Sequence, residues 1–447
     1  MVETDNFLPI ITLILSLVTV VCILLFNFDM MQPPVIVSTV MTLSVLLGTL
    51  NIQRWDLFVG SKTALVFLTG IFAFIAGGVF TQYNYLKKSV QNYICFKNYF
   101  ISTPLILVFT LLVLLLAFMS GMEMYNMSVA LGNHDGVMNM IKTIRYPLER
   151  GEVEFSRWMS YRNIISMSIA TVFLYLYIYQ VLFGHETRKR VLLYLLPVIA
   201  VVPFFILSTG RRSIVHFILT ACVIACIFYQ QKNGYNHIIR MKMLKLLGIA
   251  GIVSLLCYFS MGFLTGKVSI GGRDPFTIIA HYGGLSVPAL DQFLNGVLLE
   301  NQYIGQNTLM SFYGNLNTLG FHLEKGKSFL PFVQFQGMDS ITTNVYTVLY
   351  RLIADWSYLG MLLVMFIFGA FLTLWYNHLK YHTSPLSLVL YAHFAYVPFF
   401  LFIDDQFMTM LSTQTLYFAA LCAILLWIVE KKNVFNTEQK IMKYYEE

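Results

Sequence analysis

The stretch FLPIITLILSLVTVVCILL, Phe7 to Leu25, decides the fold class. It carries no charge, and it is as long as a helix must be to cross a bilayer core, which takes about 20 mainly apolar residues. Glu3 and Asp5 precede it where a secretory leader would be basic, and no small-residue cleavage site follows, so it reads as a retained helix. Comparable runs follow at Val35 to Leu50, Ala64 to Phe80, Pro104 to Phe118, Ile164 to Phe183 and Val191 to Leu207. Five more lie at Ile214 to Tyr229, Leu246 to Leu264, Leu359 to Tyr376, Leu386 to Phe402 and Met410 to Val429. The expected fold is all-α, a polytopic helical membrane protein of about 11 transmembrane helices forming a single membrane domain over residues 1–447. Composition agrees. Hydrophobic residues make up 57%, charged residues 11%, and mean hydropathy is +0.69, more apolar than a water-soluble surface allows. Segments of alternating apolar and polar residues are missing, which argues against a β-barrel.

The formal charge of +7 does not point to nucleic acid, because no basic run is interleaved with aromatics. Lys and Arg instead cluster beside the apolar runs, where they report orientation. One set of alternate links and the tail holds Lys87, Lys88, Lys97, Arg188, Lys189, Arg190, Lys232, Arg240, Lys242, Lys245, Lys380, Lys431, Lys432, Lys440 and Lys443. The opposite short links hold only Arg54, Lys62, Arg211 and Arg212. The amino terminus is therefore expected outside and the carboxyl terminus inside. Two long segments, 119–163 and 265–358, then form outer loops. The six cysteines make no CxxC pair, so neither a disulfide nor a metal site is expected.

Arg211 and Arg212 oppose that charge bias, and they sit in a tight link, Ser208-Thr209-Gly210-Arg211-Arg212-Ser213, that opens a helix. Gly permits close backbone approach, Ser213 can cap the helix, and the helix start offers N–H groups, so the pair suits a phosphate or diphosphate. The plain alternative is flanking arginines that snorkel.

In the 265–358 loop, Arg273 and Asp274 follow two glycines and make either a Gly-rich anion turn or a surface ion pair. Pro275 to Leu298 and Asn307 to Leu323 have helical apolar spacing suited to the membrane interface. Thr342 to Trp356 reads as a helix, which would put Arg351 and Asp355 on one face as an ion pair that aims the arginine at an anion. Tyr346 and Tyr350 repeat that spacing and suit packing, interface anchoring or a sugar-facing surface. His281, Asp274 and Asp355 make up the acid–base set, with Asp291, Asp404 and Asp405 as further proton acceptors. The outer loops contain no DxD, HExxH or GxSxG, so metal and serine-nucleophile chemistry find no support and no cofactor is expected.

Ser208 to Arg212 opening one apolar helix, and Thr343-Asn344-Val345-Tyr346-Thr347 through Arg351 and Asp355-Trp356-Ser357-Tyr358-Leu359-Gly360 entering another, resemble the bacterial O-antigen and capsule repeat-unit polymerases of the Wzy type. The resemblance extends along most of the chain as hydropathy plus one large outer (periplasmic) loop. It implies a multi-pass glycosyltransferase of the bacterial inner membrane, similar in fold to the GT-C class and serving lipopolysaccharide or capsule biosynthesis. Such an enzyme transfers the growing glycan from undecaprenyl diphosphate to the non-reducing end of a new lipid-linked unit. On that resemblance, Arg211, Arg212, Arg273 and Arg351 hold the diphosphate, and Tyr346 and Tyr350 face the sugars. A polysaccharide chain-length regulator is then an implied partner beside the undecaprenyl-diphosphate-linked oligosaccharide and membrane lipid. The alternatives are an O-antigen ligase, which shares the donor, and a polysaccharide transporter or flippase, against which the lack of internal repeats argues.

Overall fold

The computed structural model describes residues 5–86, 99–133, 136–149, 152–184, 186–208, 211–234, 237–264, 275–296, 299, 301–324, 326, 330–382, 384–408 and 411–446. In chain order the helices are α1 Leu8–Leu25, α2 Pro33–Thr49, α3 Ile52–Trp55, α4 Ser61–Leu86, α5 Thr103–Ala130, α6 Val137–Glu149 and α7 Arg157–Phe183. Then come α8 Arg188–Leu193, α9 Leu195–Ala200, α10 Val202–Leu207, α11 Arg212–Asn233, α12 His237–Leu264, α13 Pro275–Gly284, α14 Ser286–Asn295 and α15 Met310–Thr318. Strands β1 Val333–Gln336 and β2 Ser340–Thr343 precede α16 Leu349–Tyr381, α17 Pro385–Phe394, α18 Val397–Phe400 and α19 Thr413–Glu446. Among the described residues nine helical segments are long and apolar enough to cross a membrane, and α2 and the α17–α18 segment are shorter apolar helices. The chain is a predominantly helical polytopic membrane protein. The run read as Val191 to Leu207 is helical in three pieces, because Pro197 and Pro203 each withhold a backbone donor.

The chain divides into two compact units. The first comprises Met1–Asn92, Arg273–Lys380 and Phe394–Thr413; the second comprises Tyr93–Gly272, Tyr381–His393 and Gln414–Glu447. Each is assembled from segments distant in sequence, so hydropathy alone does not reveal the division.

In the first unit, α1 and α2 are stitched by hydroxyl pairs, Thr12 with Thr49 at 2.7 Å and Thr19 with Thr42 at 2.9 Å. Such pairs hold helices together where lipid supplies no hydrophobic drive. Gly77 of α4 and Gly369 of α16 lie directly on the partner helix's backbone, at Phe366 and Phe74, and any side chain there would force the helices apart. At the far end of α16, the buried Asp29 pairs with Lys380 and accepts from Tyr376 Oη at 2.9 and 3.1 Å. Gln32 donates to Asn377 at 2.8 Å in the same layer.

Two expectations for the 265–358 loop are corrected. Helices α13 and α14 are not interfacial, since Ala280, Leu285, Val287, Ala289, Leu290 and Phe293 are all buried. Thr342 to Trp356 is not one helix either. Ser340–Thr343 pairs antiparallel with Val333–Gln336 in the register Val333 to Thr343 and Phe335 to Ile341, and α16 starts only at Leu349. Its β-branched residues alternate buried and exposed, as a half-buried strand requires. Between strand and helix the backbone stays paired, with the Tyr346 and Val348 N–H groups donating to the carbonyls of Ile403 and Leu401 at 3.1 and 2.8 Å.

In the second unit, much of the expected 119–163 loop is helix. α5 runs on to Ala130, with Ser120, Met124 and Ser128 buried, and α7 starts at Arg157, where the Ser156 hydroxyl caps it by accepting from Met159 N at 3.1 Å. Met140, Ile141 and Ile144 on one side of α6 bury against Met124, Met159 and Leu207. Glu123 and Arg162 pair between α5 and α7.

Candidate functional site

Two buried arginines stand out, one in each unit. In the first unit Arg351 is 1% exposed, and its Nε and Nη2 donate to the two carboxylate oxygens of Asp404 at 2.8 and 3.1 Å. Its Nη1 donates to the Asn307 carbonyl at 3.3 Å. Paired bonds of this kind fix the guanidinium plane. The expected partner, Asp355, is engaged elsewhere. One of its oxygens accepts from Asn307 N at 2.9 Å, Thr308 N at 2.6 Å and Thr308 Oγ1 at 2.8 Å, and the other accepts from Asn307 Nδ2 at 2.9 Å. Asp355 thus gathers the loose backbone donors of the 305–309 turn, and Arg351 pairs with Asp404 instead. This corrects the ion pair expected from spacing along the helix.

Asp405, next to Asp404, is fully buried. One of its oxygens accepts from Phe407 N and Met408 N, each at 3.0 Å, and its own N–H donates to Asp404 Oδ1 at 2.8 Å. Burial pushes its carboxyl up to about 7, and the Asp404 charge adds to that rise. The two backbone donors and the Arg351 charge oppose it without cancelling it. A carboxyl that releases its proton near neutral pH can take one from a hydroxyl during a reaction.

The other residues expected in this unit divide into structural and undescribed groups. Arg273 and Asp274 lie outside the described residues. His281 is half-buried on α13 and donates through Nε2 to the Thr342 carbonyl of β2 at 2.8 Å, which ties the hairpin to the helix. Asp291 accepts from Gly60 N at 2.9 Å, Thr63 Oγ1 at 2.5 Å and Asn295 Nδ2 at 3.1 Å, so it caps the start of α4 from outside. Tyr346 and Tyr350 are fully buried with ring centres 4.2 Å apart, and Tyr350 lies 4.0 Å from Phe293. Tyr346 Oη donates to the Pro331 carbonyl at 3.1 Å, and burial pushes its phenol up to about 12. Neither ring presents a face to a sugar in this structure, which corrects their reading as a sugar-facing surface. Ser357 interrupts α16 just beyond, at φ 60° and ψ −178°, a conformation that favours glycine.

In the second unit, Arg211 and Arg212 part company at the start of α11. Arg212 is exposed; Arg211 is 6% exposed. The Arg211 guanidinium stacks 4.8 Å from the ring centre of Tyr258 and rests on Gly262, where an added methyl would come within 2.6 Å of Cζ. Both neighbours are on α12, four residues apart and so on one face of it. Among the described residues no carboxylate pairs with Arg211, and its Nε has no hydrogen-bond acceptor. Ser213 does not cap α11; its hydroxyl donates to Ser208 Oγ at 3.3 Å. A buried guanidinium supported by a ring face and a bare backbone, but by no acid, is equipped to receive an anion.

Sequence reasoning missed Tyr258 and Gly262, which lie about fifty positions from Arg211 and carry no motif, and it missed the pairing of Arg351 with Asp404. The signal for Asp404 was its position in a short link beside a span, which marked it as a proton acceptor and not as a counter-ion. The chain matches no protein-family model, no curated protein and no solved structure.

Proposed function

We propose that the chain is a membrane glycosyltransferase that lengthens a lipid-linked glycan, in the manner of the repeat-unit polymerases its sequence resembles. The single observation that carries this reading is Arg211, a buried guanidinium with no acid partner among the described residues. A charge so placed costs several kcal/mol if nothing neutralises it (roughly, from the effective penalty for ions inside proteins). A polyprenyl diphosphate supplies the neutralising anion and leaves its apolar tail among the apolar helices. The acceptor hydroxyl attacks the anomeric carbon of the donor glycan, the bond to the diphosphate oxygen breaks, and the hydroxyl proton passes to a base. Arg211, with Arg212 beside it, stabilises the charge that collects on the departing diphosphate. His281 and Asp355 are less suited to be that base than their sequence positions suggest, because they are committed to holding the hairpin and the 305–309 turn. The reading places the chain in a bacterial inner membrane with Arg211 on the non-cytoplasmic face and a GT-C-like arrangement of about 11 spans.

Reconstitution with a purified polyprenyl-diphosphate-linked oligosaccharide tests it. Wild-type protein is expected to yield a ladder of longer glycans, and Arg211→Ala, at equal abundance in the membrane, to yield none. A full ladder from the variant would refute the diphosphate assignment.

A further inference from the structure

The segment 301–323, NQYIGQNTLMSFYGNLNTLGFHL, contains no Asp, Glu, Lys or Arg, although it lies outside every candidate span. It folds as a small lobe around α15. Tyr313 stacks on Tyr303 at 5.9 Å and donates through Oη to the Ile304 carbonyl at 2.7 Å, and Asn317 brackets Leu323 through its backbone N–H and carbonyl, each at 2.6 Å. The lobe does not bury its large apolar side chains. Ile304 and Leu319 are each 74% exposed, and Phe312 and Phe321 are also exposed.

The lobe is held against the beginning of a membrane span, α16. Asp355 binds the Asn307 and Thr308 backbone, Trp356 Nε1 donates to Thr308 Oγ1 at 3.1 Å, and Asn301 donates to the Ala354 carbonyl, all within the first turns of α16. Asn315 accepts from Thr413 Oγ1, at the first residue of α19, at 3.3 Å. A few residues further along α16, Leu359, Leu363 and Ile367 are exposed at a spacing of four, the stripe that faces lipid in a spanning helix.

We propose that the lobe 301–323 is a membrane-docking surface whose Ile304, Phe312, Leu319 and Phe321 side chains enter the headgroup–acyl boundary of the leaflet at which α16 begins. Phospholipid is the partner that this chemistry fits. The aliphatic Ile304 and Leu319 offer a sugar neither a hydrogen bond nor a flat ring face, and an uncharged segment gains nothing from a charged protein partner. Apolar side chains at the ends of spans are stabilised by entering the boundary layer, and exposed apolar patches of this kind mark membrane contact. The inference stands on the lobe alone and does not require the glycosyltransferase reading.

Full-length protein carrying p-trifluoromethylphenylalanine at Phe312 or Phe321, reconstituted in phosphatidylglycerol and phosphatidylethanolamine vesicles, provides the test by fluorine NMR. Phe371, exposed on α16, gives the lipid reference, and the free amino acid gives the water reference. The expected result is broadening by dissolved oxygen comparable to Phe371, with loss of the broadening that a water-soluble gadolinium chelate causes in the free amino acid. Chelate broadening as strong as in water would overturn the proposal, and so would shielding from both reagents, which would mean that protein covers the lobe.

Discussion

Arg351 and Arg211 are both buried, and they differ in what answers their charge. Arg351 is met by both oxygens of Asp404 and by a backbone carbonyl, so its charge is satisfied within the fold. Arg211 has an aromatic face and a glycine, and no acid among the described residues. A guanidinium whose partners are complete holds structure together. One with no acid among the described residues is, on the function proposed above, kept for an anionic ligand, because burying a charge is tolerated only when something pairs with it.

The largest expected effect follows from breaking the complete site. Arg351→Met leaves Asp404 without its counter-ion and is expected to cost roughly 3–5 kcal/mol, the usual price of removing one partner of a buried pair. Unfolding in detergent micelles measures it, and a wild-type midpoint would show that the pair is dispensable. The incomplete site should behave oppositely. Arg211→Ala removes a buried charge that no acid among the described residues neutralises, so the ligand-free variant is expected to be at least as stable as wild type, by up to roughly several kcal/mol, the effective penalty for an unpaired buried ion. Its rate of glycan lengthening should nonetheless fall by on the order of 10²-fold or more, as when one charge-stabilising donor is removed from a transition state.

Asp355→Ala sharpens the distinction between the two acids near Arg351. It strands the Asn307 and Thr308 N–H groups and is expected to cost about 1–3 kcal/mol, with proteolysis appearing first in the 301–309 turn. If Asp355 were instead the counter-ion of Arg351, its removal would cost as much as removing the arginine. The smallest effect at any single acidic pH is expected from Asp405→Asn, which keeps an oxygen for Phe407 and Met408. Its signature is the pH dependence. The Asp405 carboxyl is raised from 3.8 in the unfolded chain to about 7 in the fold, so the folded state holds a proton that the unfolded state has released. Wild-type stability should therefore decline as pH rises from about 4 to about 7 and level off above, and the variant should lose that slope. Unfolding midpoints across the range give the answer; equal slopes would mean that Asp405 titrates as an ordinary carboxyl.

The long apolar helices, nine among the described residues, were legible because a bilayer demands about 20 apolar residues in a row, and that demand is written locally. Arg211 drew notice for a related reason, since it is an exception to the charge pattern of the short links, and the structure finds it buried. What could not be read was any pairing across long sequence separations. Arg351 was assigned to Asp355 because i,i+4 neighbours on a helix are the nearest candidates, whereas Asp404 is reached only once the 401–403 turn bonds to Tyr346 and Val348. The hairpin was missed because Val333–Gln336 is only four residues long and its alternation is framed by aromatics that read equally well as interface. Tyr346 was placed on a helix face because the helix was started too early; Tyr350 does lie in the first turn of α16, buried against Phe293. The burial of Tyr346 goes with a non-helical stretch whose backbone bonds to Ile403.

The most direct test of the contrast is equilibrium binding of undecaprenyl diphosphate to the purified protein in nanodiscs, comparing wild type with Arg211→Ala. The account predicts that wild type binds and that the variant loses at least about tenfold in affinity, a modest share of what a charge-assisted bidentate contact contributes. Equal affinity in the two proteins would contradict it.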